Sequence, residues 1–150
     1  MTDYPVPEGY EPIEVHSIYD RNFGTLYVRK GEGDYVLGFR VMKQHLNETG
    51  VMHGGALATF ADWQVMSAKY QANIDVHTPT ISLTVDYLSP TPEGSWLEAH
   101  VNLQKQTRKM LFTSTEFWAG EVLVARSNAI YKLRSPVSQS NADSNAASGQ

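Results

Sequence analysis

The sequence predicts an α+β domain in which a curved antiparallel sheet wraps around one long central helix. Three observations carry this reading. Only one segment, "GGALATFADWQVMSAKYQA", has the length and periodicity of a long helix. Most of the remaining apolar residues fall in short runs bounded by turn signals. The last of these runs follow one another through short loops, which favours an antiparallel meander.

The strands can be justified in order. "FGTLYVR" (23–29) and "DYVLGFRVM" (34–42) are apolar runs joined by "KGEG". "TISLTVDYL" (80–88) alternates: Ile81, Leu83, Val85 and Tyr87 share one face, and Thr80, Ser82, Thr84 and Asp86 the other. "SPTPEG" then turns the chain. "WLEAHVNL" (96–103) alternates again, with Leu97, Ala99, Val101 and Leu103 on one side. "LFTSTEFW" (111–118) leads through Ala119-Gly120 into "EVLVARSNAIYKL" (121–133), a hairpin.

The helix spans about 54–72. It holds no proline, and after the glycines only Thr59 and Val65 are β-branched. Leu57, Phe60, Ala61, Val65 and Ala68 repeat at helical spacing, while Trp63, Met66 and Tyr70 lie outside that stripe. A helix apolar most of the way round belongs in an interior. At 1.5 Å per residue it is roughly 27 Å long. The sheet must curve around it, or a second subunit must help to cover it.

The 150 residues suit one domain. Residues 23–134 form it. Residues 1–22 are an N-terminal lead-in, of which the first dozen, with three prolines, is expected to be extended. The tail "SPVSQSNADSNAASGQ" (135–150) has almost no large apolar residue and is expected to be flexible. There is no cysteine, so disulfides and thiolate metal sites are excluded. No basic-then-apolar leader and no apolar run near ~18 residues is present, which predicts a soluble cytoplasmic protein without a membrane span. The formal charge of −4 argues against general nucleic-acid binding.

The chemistry concentrates in "NETGVMHGGALATFADWQ" (47–64). The amides of a helix's first turn have no intrahelical partner, and the macrodipole adds positive character there. Gly54 and Gly55 are either a flexible turn or an opening through which a ligand oxygen reaches those amides. Asp62 is either a solvated helix residue or a carboxylate in apolar surroundings, poorly solvated and so a better proton acceptor. Its helical neighbours Ala58, Thr59, Val65 and Met66 offer no cation, and Lys69 lies about two turns away. His53 can be a base, a metal ligand or a residue that starts the helix; no second histidine stands at ligand spacing, so no metal site is expected. Asn47 can form a turn or orient a polar group. Gly54 and Asp62 are separated by ~12 Å of helical rise. That is long for one small substrate. A dimer would solve it by bringing Asp62 of one subunit to the helix start of the other.

The pattern Asn47, Gly50, His53, Gly54, Gly55, with Asp62 nine residues after the histidine, resembles the hotdog-fold acyl-CoA thioesterases, above all the phenylacetic-acid-pathway subfamily. "TISLTVDYLSP", with its aromatic-x-x-Pro ending at Tyr87 and Pro90, is similar to the strand that follows the helix in that family. "QTRKMLF" matches a hairpin of its final meander. The resemblance spans about residues 23–133. It implies a hotdog fold and a homodimer with sites shared across the interface, or a homotetramer built from such dimers. It implies that the Gly54 amide meets the thioester carbonyl and that Asp62 is general base or nucleophile. Asn47 holds the water or the carboxylate, Thr80 faces the site from the partner chain, and His53 shapes the helix start. Trp63, where many relatives carry a small residue, is expected to narrow the acyl pocket.

A thioester carbonyl is already electrophilic, so an oxyanion donor and an activating carboxylate suffice, with no cofactor beyond the CoA of the substrate. Lys105, Arg108 and Lys109 cluster in "QKQTRKM", either as an ordinary solvated turn or as a contact for CoA phosphates. The leading expectation is acyl-CoA hydrolysis. A dehydratase or hydratase of acyl thioesters would need a His-Phe-Pro-Gly signature that is missing here. A non-catalytic acyl-CoA-binding module would not need Asp62.

Overall fold

The computed structural model describes residues 4–134, so the expected tail lies outside the described residues. Within the lead-in, Glu11–Pro12 forms a two-residue strand, β1, and Ile18–Phe23 a short helix, α1. Ser17 caps α1 by accepting the Asp20 N–H at 3.0 Å. The chain continues through β2 (Tyr27–Gly31), β3 (Asp34–Arg40), the helices α2 (Gly54–Asp62) and α3 (Val65–Ala72), then β4 (Thr80–Tyr87), β5 (Trp96–Gln106), β6 (Met110–Ala119) and β7 (Val122–Lys132).

The strands make one seven-stranded sheet in the order β1-β2-β3-β5-β6-β7-β4, antiparallel throughout. β5, β6 and β7 are the expected meander. The helix is carried by the connection from β3 to β4, and β4 closes the order as an edge strand beside β7. The sheet curves around the helix as expected.

β2 begins later than the apolar run suggests, at Tyr27 rather than residue 23. Gly24, with φ 127°, redirects the chain. Phe23 instead closes α1, with its ring 5.0 Å from Phe39, 4.5 Å from His45 and 4.7 Å from Trp63. Its apolar surface is buried by packing against the helix side rather than by strand pairing.

The long helix forms but bends at Trp63 and Gln64. The Gln64 side-chain amide donates to the Phe60 carbonyl at 2.8 Å, while the Gln64 backbone N–H turns to Ala61 instead. A side chain inserted into the i to i−4 ladder is a recognised cause of a kink. Phe60 anchors α2 to the sheet, fully buried, 4.8 Å from Phe39 and 5.7 Å from Phe117. Around it Leu26, Leu37, Leu57, Ala61 and Leu97 complete a dry core. Among the described residues no helix is long and apolar enough to cross a membrane.

Candidate active site

The segment before α2 is held by its own side chains. His45 ends a 3-10 turn, Lys43–His45, and is buried. Its Nδ1 accepts the Met42 N–H at 2.9 Å and its Nε2 donates to the Phe23 carbonyl at 2.7 Å, which fixes the neutral tautomer. Burial lowers its pKa, against the pull of that carbonyl. Asn47 then turns the chain: its Oδ1 accepts from Thr49 N–H at 2.9 Å, Thr49 Oγ1 at 2.8 Å and Val51 N–H at 3.3 Å. Asn47 is therefore a turn former. With its oxygen engaged three times, the amide NH2 is the end left to meet a ligand.

The first turn of α2 accounts for its amides one by one. The Gly55 N–H goes to His53 Nδ1 at 2.8 Å. The Ala56 and Leu57 N–H groups both go to the His53 carbonyl, at 3.0 and 3.1 Å. Gly54 alone keeps its N–H without an acceptor among the described residues. His53 is thus the N-cap, the role that starts the helix, and Gly55 is not open as a ligand donor because His53 already occupies its amide. Gly54 has no left-handed backbone, so its glycine answers to space. A Cβ there would lie 3.3 Å from Tyr87 Cζ.

Tyr87 was not singled out for the site by sequence reasoning, although it stands in the aromatic-x-x-Pro stretch. Its hydroxyl donates to the Gly54 carbonyl at 2.8 Å. Gly54 and Tyr87, with Met52, Leu57, Leu88 and Pro90, line a largely apolar cavity of about 380 Å³. The free amide thus sits at the wall of a space suited to an apolar ligand.

Asp62 occupies the other end of α2. Of the two alternatives the exposed one holds: Asp62 is exposed, and its Oδ1 accepts the Thr80 hydroxyl at 2.6 Å. Strict alternation puts Thr80 on the face opposite Leu83. A β-bulge between Thr80 and Ser82 changes this: Thr80 pairs with Tyr131, whereas Leu83 pairs with Ala129. The extra residue, Ile81, is left 52% exposed, and Thr80 is turned to the helix side where Asp62 waits. Asp62 and Thr80 therefore belong to one protomer's half of any shared site. Gly54 meets the Tyr87 end of β4 and Asp62 the Thr80 end, so one chain does not bring amide and carboxylate together.

The basic turn lies at the Asp62 end. Lys105, Arg108 and Lys109 are exposed around the β5–β6 hairpin. The Lys109 carbonyl accepts the Leu133 N–H at 2.8 Å, and the next residue back, Lys132, donates its N–H to Pro79 at 2.8 Å, beside Thr80. Arg126 is committed elsewhere, to Asp86 at 2.9 Å. Trp63 does not line the cavity beside Gly54. Its Nε1 donates to Asp20 Oδ1 at 3.1 Å, and its ring packs edge-on to Phe23, so it ties α1 to the helix bend.

A family model described as the thioesterase superfamily matches residues 49–125. A candidate esterase of Pseudomonas aeruginosa is 30% identical over 133 residues, which cover 85% of this chain and 97% of that protein. The human acyl-coenzyme A thioesterase 13 is 24% identical over 99 residues, 65% of this chain and 71% of that protein. Among solved structures, a mutant of the phenylacetic acid degradation protein of Thermus thermophilus superposes with a TM-score of 0.66 at 24% identity, over 77% of this chain and 98% of that one. Its E. coli counterpart gives 0.68 at 22% identity, over 79% and 86%. These two likenesses show the hotdog fold.

Proposed function

This chain belongs to the thioesterase superfamily, and from that premise we propose that it hydrolyses an acyl-CoA thioester to the free acid and CoA. The observation that carries the reading is the Gly54 N–H: the one first-turn amide without an acceptor among the described residues, in a residue that lines an apolar cavity. A thioester carbonyl placed there accepts the Gly54 N–H, and the negative charge that develops on its oxygen is stabilised by that amide and by the positive end of the helix.

The carboxylate comes from a second copy. β4 is an edge strand with exposed Ile81 and Tyr87, followed by exposed Leu88, and such an edge is a surface for pairing. A homodimer whose two-fold axis runs perpendicular to β4 sets the two edges antiparallel, and so brings Gly54 of one protomer towards Asp62 and Thr80 of the other, twice over. A tetramer of two such dimers keeps the same sites. Asp62 then either takes a proton from water as that water attacks the carbonyl carbon, or attacks it directly. In both routes the tetrahedral intermediate collapses, the C–S bond breaks and the CoA thiolate leaves; in the first the proton held by Asp62 passes to the thiolate, and in the second the mixed anhydride left on Asp62 is hydrolysed by water to the free acid and the restored carboxylate. Thr80 fixes the carboxylate from one side, and the Asn47 amide NH2 faces the site from the protomer that supplies Gly54. The basic turn of the Asp62 protomer meets the CoA phosphates.

Asp62→Asn tests this. The side chain is exposed, so the fold tolerates the change, and thiol release from an acyl-CoA panel should fall by about 10²–10⁴ in kcat. Wild-type turnover by this variant defeats the assignment. Saturable acyl-CoA binding with no thiol release by the wild type would instead make the protein a binding module.

A further inference from the structure

Beneath the Asp62–Thr80 pair stands a side chain that the reaction as described does not use. Tyr131 of β7 is the register partner of Thr80 across the β4–β7 ladder, on the helix side of the sheet. It is fully buried, its ring packed among Ala68, Leu111 and Val65, and its hydroxyl has no hydrogen-bond partner among the described residues. Thr113 of β6, diagonal to it, is also buried with an unpartnered hydroxyl: the two are neighbours, but their geometry falls short of a hydrogen bond. An unpaired buried hydroxyl is unfavourable, and phenylalanine would fill the same volume without it. Packing therefore does not account for the phenol.

The partner of Tyr131 across the ladder, Thr80, holds the Asp62 carboxylate at 2.6 Å. Burial first, and then the negative charge of Asp62, push the Tyr131 pKa far above its ordinary value. The group is a permanent O–H donor that feels the carboxylate and has no acceptor of its own. We propose that Tyr131 is a positioning residue for the hydrolysis inferred above, its phenol hydroxyl steadying the Asp62 carboxylate from below while Thr80 holds it from the side. In the free chain water solvates the exposed Asp62. Once a second subunit and a substrate exclude that water, the carboxylate has fewer donors, and a fixed O–H dipole beneath it replaces part of what was lost. The bulge at Ile81 makes this arrangement possible, because it puts Thr80 and Tyr131 side by side on the helix face.

The inference rests on the thioesterase reading, and the experiment separates the two. Wild type, Asp62→Asn, Tyr131→Phe, Thr80→Val and the Tyr131→Phe/Thr80→Val double variant are assayed by thiol release and by thermal melting. If the wild type releases no thiol from any acyl-CoA, the reading itself fails. If the wild type is active and Asp62→Asn is not, the reading stands and Tyr131 is judged alone. Tyr131→Phe should then lower kcat about tenfold with KM within about twofold and an unchanged or higher Tm, since the interaction acts on the reacting carboxylate and not on binding. The double variant should lose less than the product of the two single losses, because both hydroxyls act on one carboxylate. Wild-type kcat in Tyr131→Phe, a loss explained by a lowered Tm, or fully multiplicative losses in the double variant would each overturn the proposal.

Discussion

A site shared between two protomers makes a quantitative demand that a site within one chain does not. Consider two variants, each silent by itself. Asp62→Asn removes the carboxylate at an exposed position, so its effect on stability should stay within about 0.5 kcal/mol. Gly54→Val shields the amide: its Cβ already meets the Tyr87 ring at 3.3 Å, and the added methyls crowd the cavity wall. Gly54 has no left-handed backbone, so valine brings no conformational strain there. Losing the base should lower kcat about 10²–10⁴, and losing the oxyanion donor about 10²–10³. Each homodimer should thus keep roughly 1% of wild-type turnover or less. Now let the two chains carry different affinity tags and purify the heterodimer in two steps. One of its sites joins Gly54 of the first chain to Asp62 of the second, both intact; the other is doubly broken. Turnover per dimer should return to about half that of the wild type, from two-fold symmetry alone. The assay is thiol release under saturating acyl-CoA. A verified heterodimer no more active than its parents would refute the shared site and with it the proposed geometry.

Other consequences can be checked independently. Replacing Arg108 and Lys109 with alanine should raise KM for acyl-CoA several-fold, roughly tenfold at most, with kcat unchanged, and the difference should shrink at about 0.5 M salt. Burial holds the His45 pKa below its ordinary 6.5, so the unfolded chain binds that proton more tightly. Stability from this group is complete above 6.5 and declines as pH falls below it, so Tm should drop more steeply from about pH 7.5 to about 5.5 in the wild type than in His45→Gln. Phe60→Ala leaves a cavity between Phe39 and Phe117 and should cost about 3–5 kcal/mol by denaturant unfolding, with the m-value retained.

The sequence by itself determined the class of fold, the sheet's meander and the start of the helix. Each depends on local periodicity or on residues adjacent in the chain. Leu97 and Ala99 alternate into the core; Leu57, Phe60 and Ala61 fall on one helical face; His53 caps the amide of Gly55 two residues on. Asp62 and Gly54 were also visible, because a glycine pair and a lone carboxylate at fixed spacing are local features. Four things were decided only by the folded chain. Thr80 reaches Asp62 because a bulge shifts the ladder by one residue, and a one-residue slip reverses every face. Gly55 is closed to ligands because a side chain occupies its amide. Trp63 faces Asp20 in α1, a partner 43 residues away, rather than the cavity beside Gly54. Tyr131 stands opposite Thr80 only because β7 runs beside β4. Contacts between distant segments carry no periodic signature, since their register is set by packing across the sheet, and that energy exists only once the chain has folded.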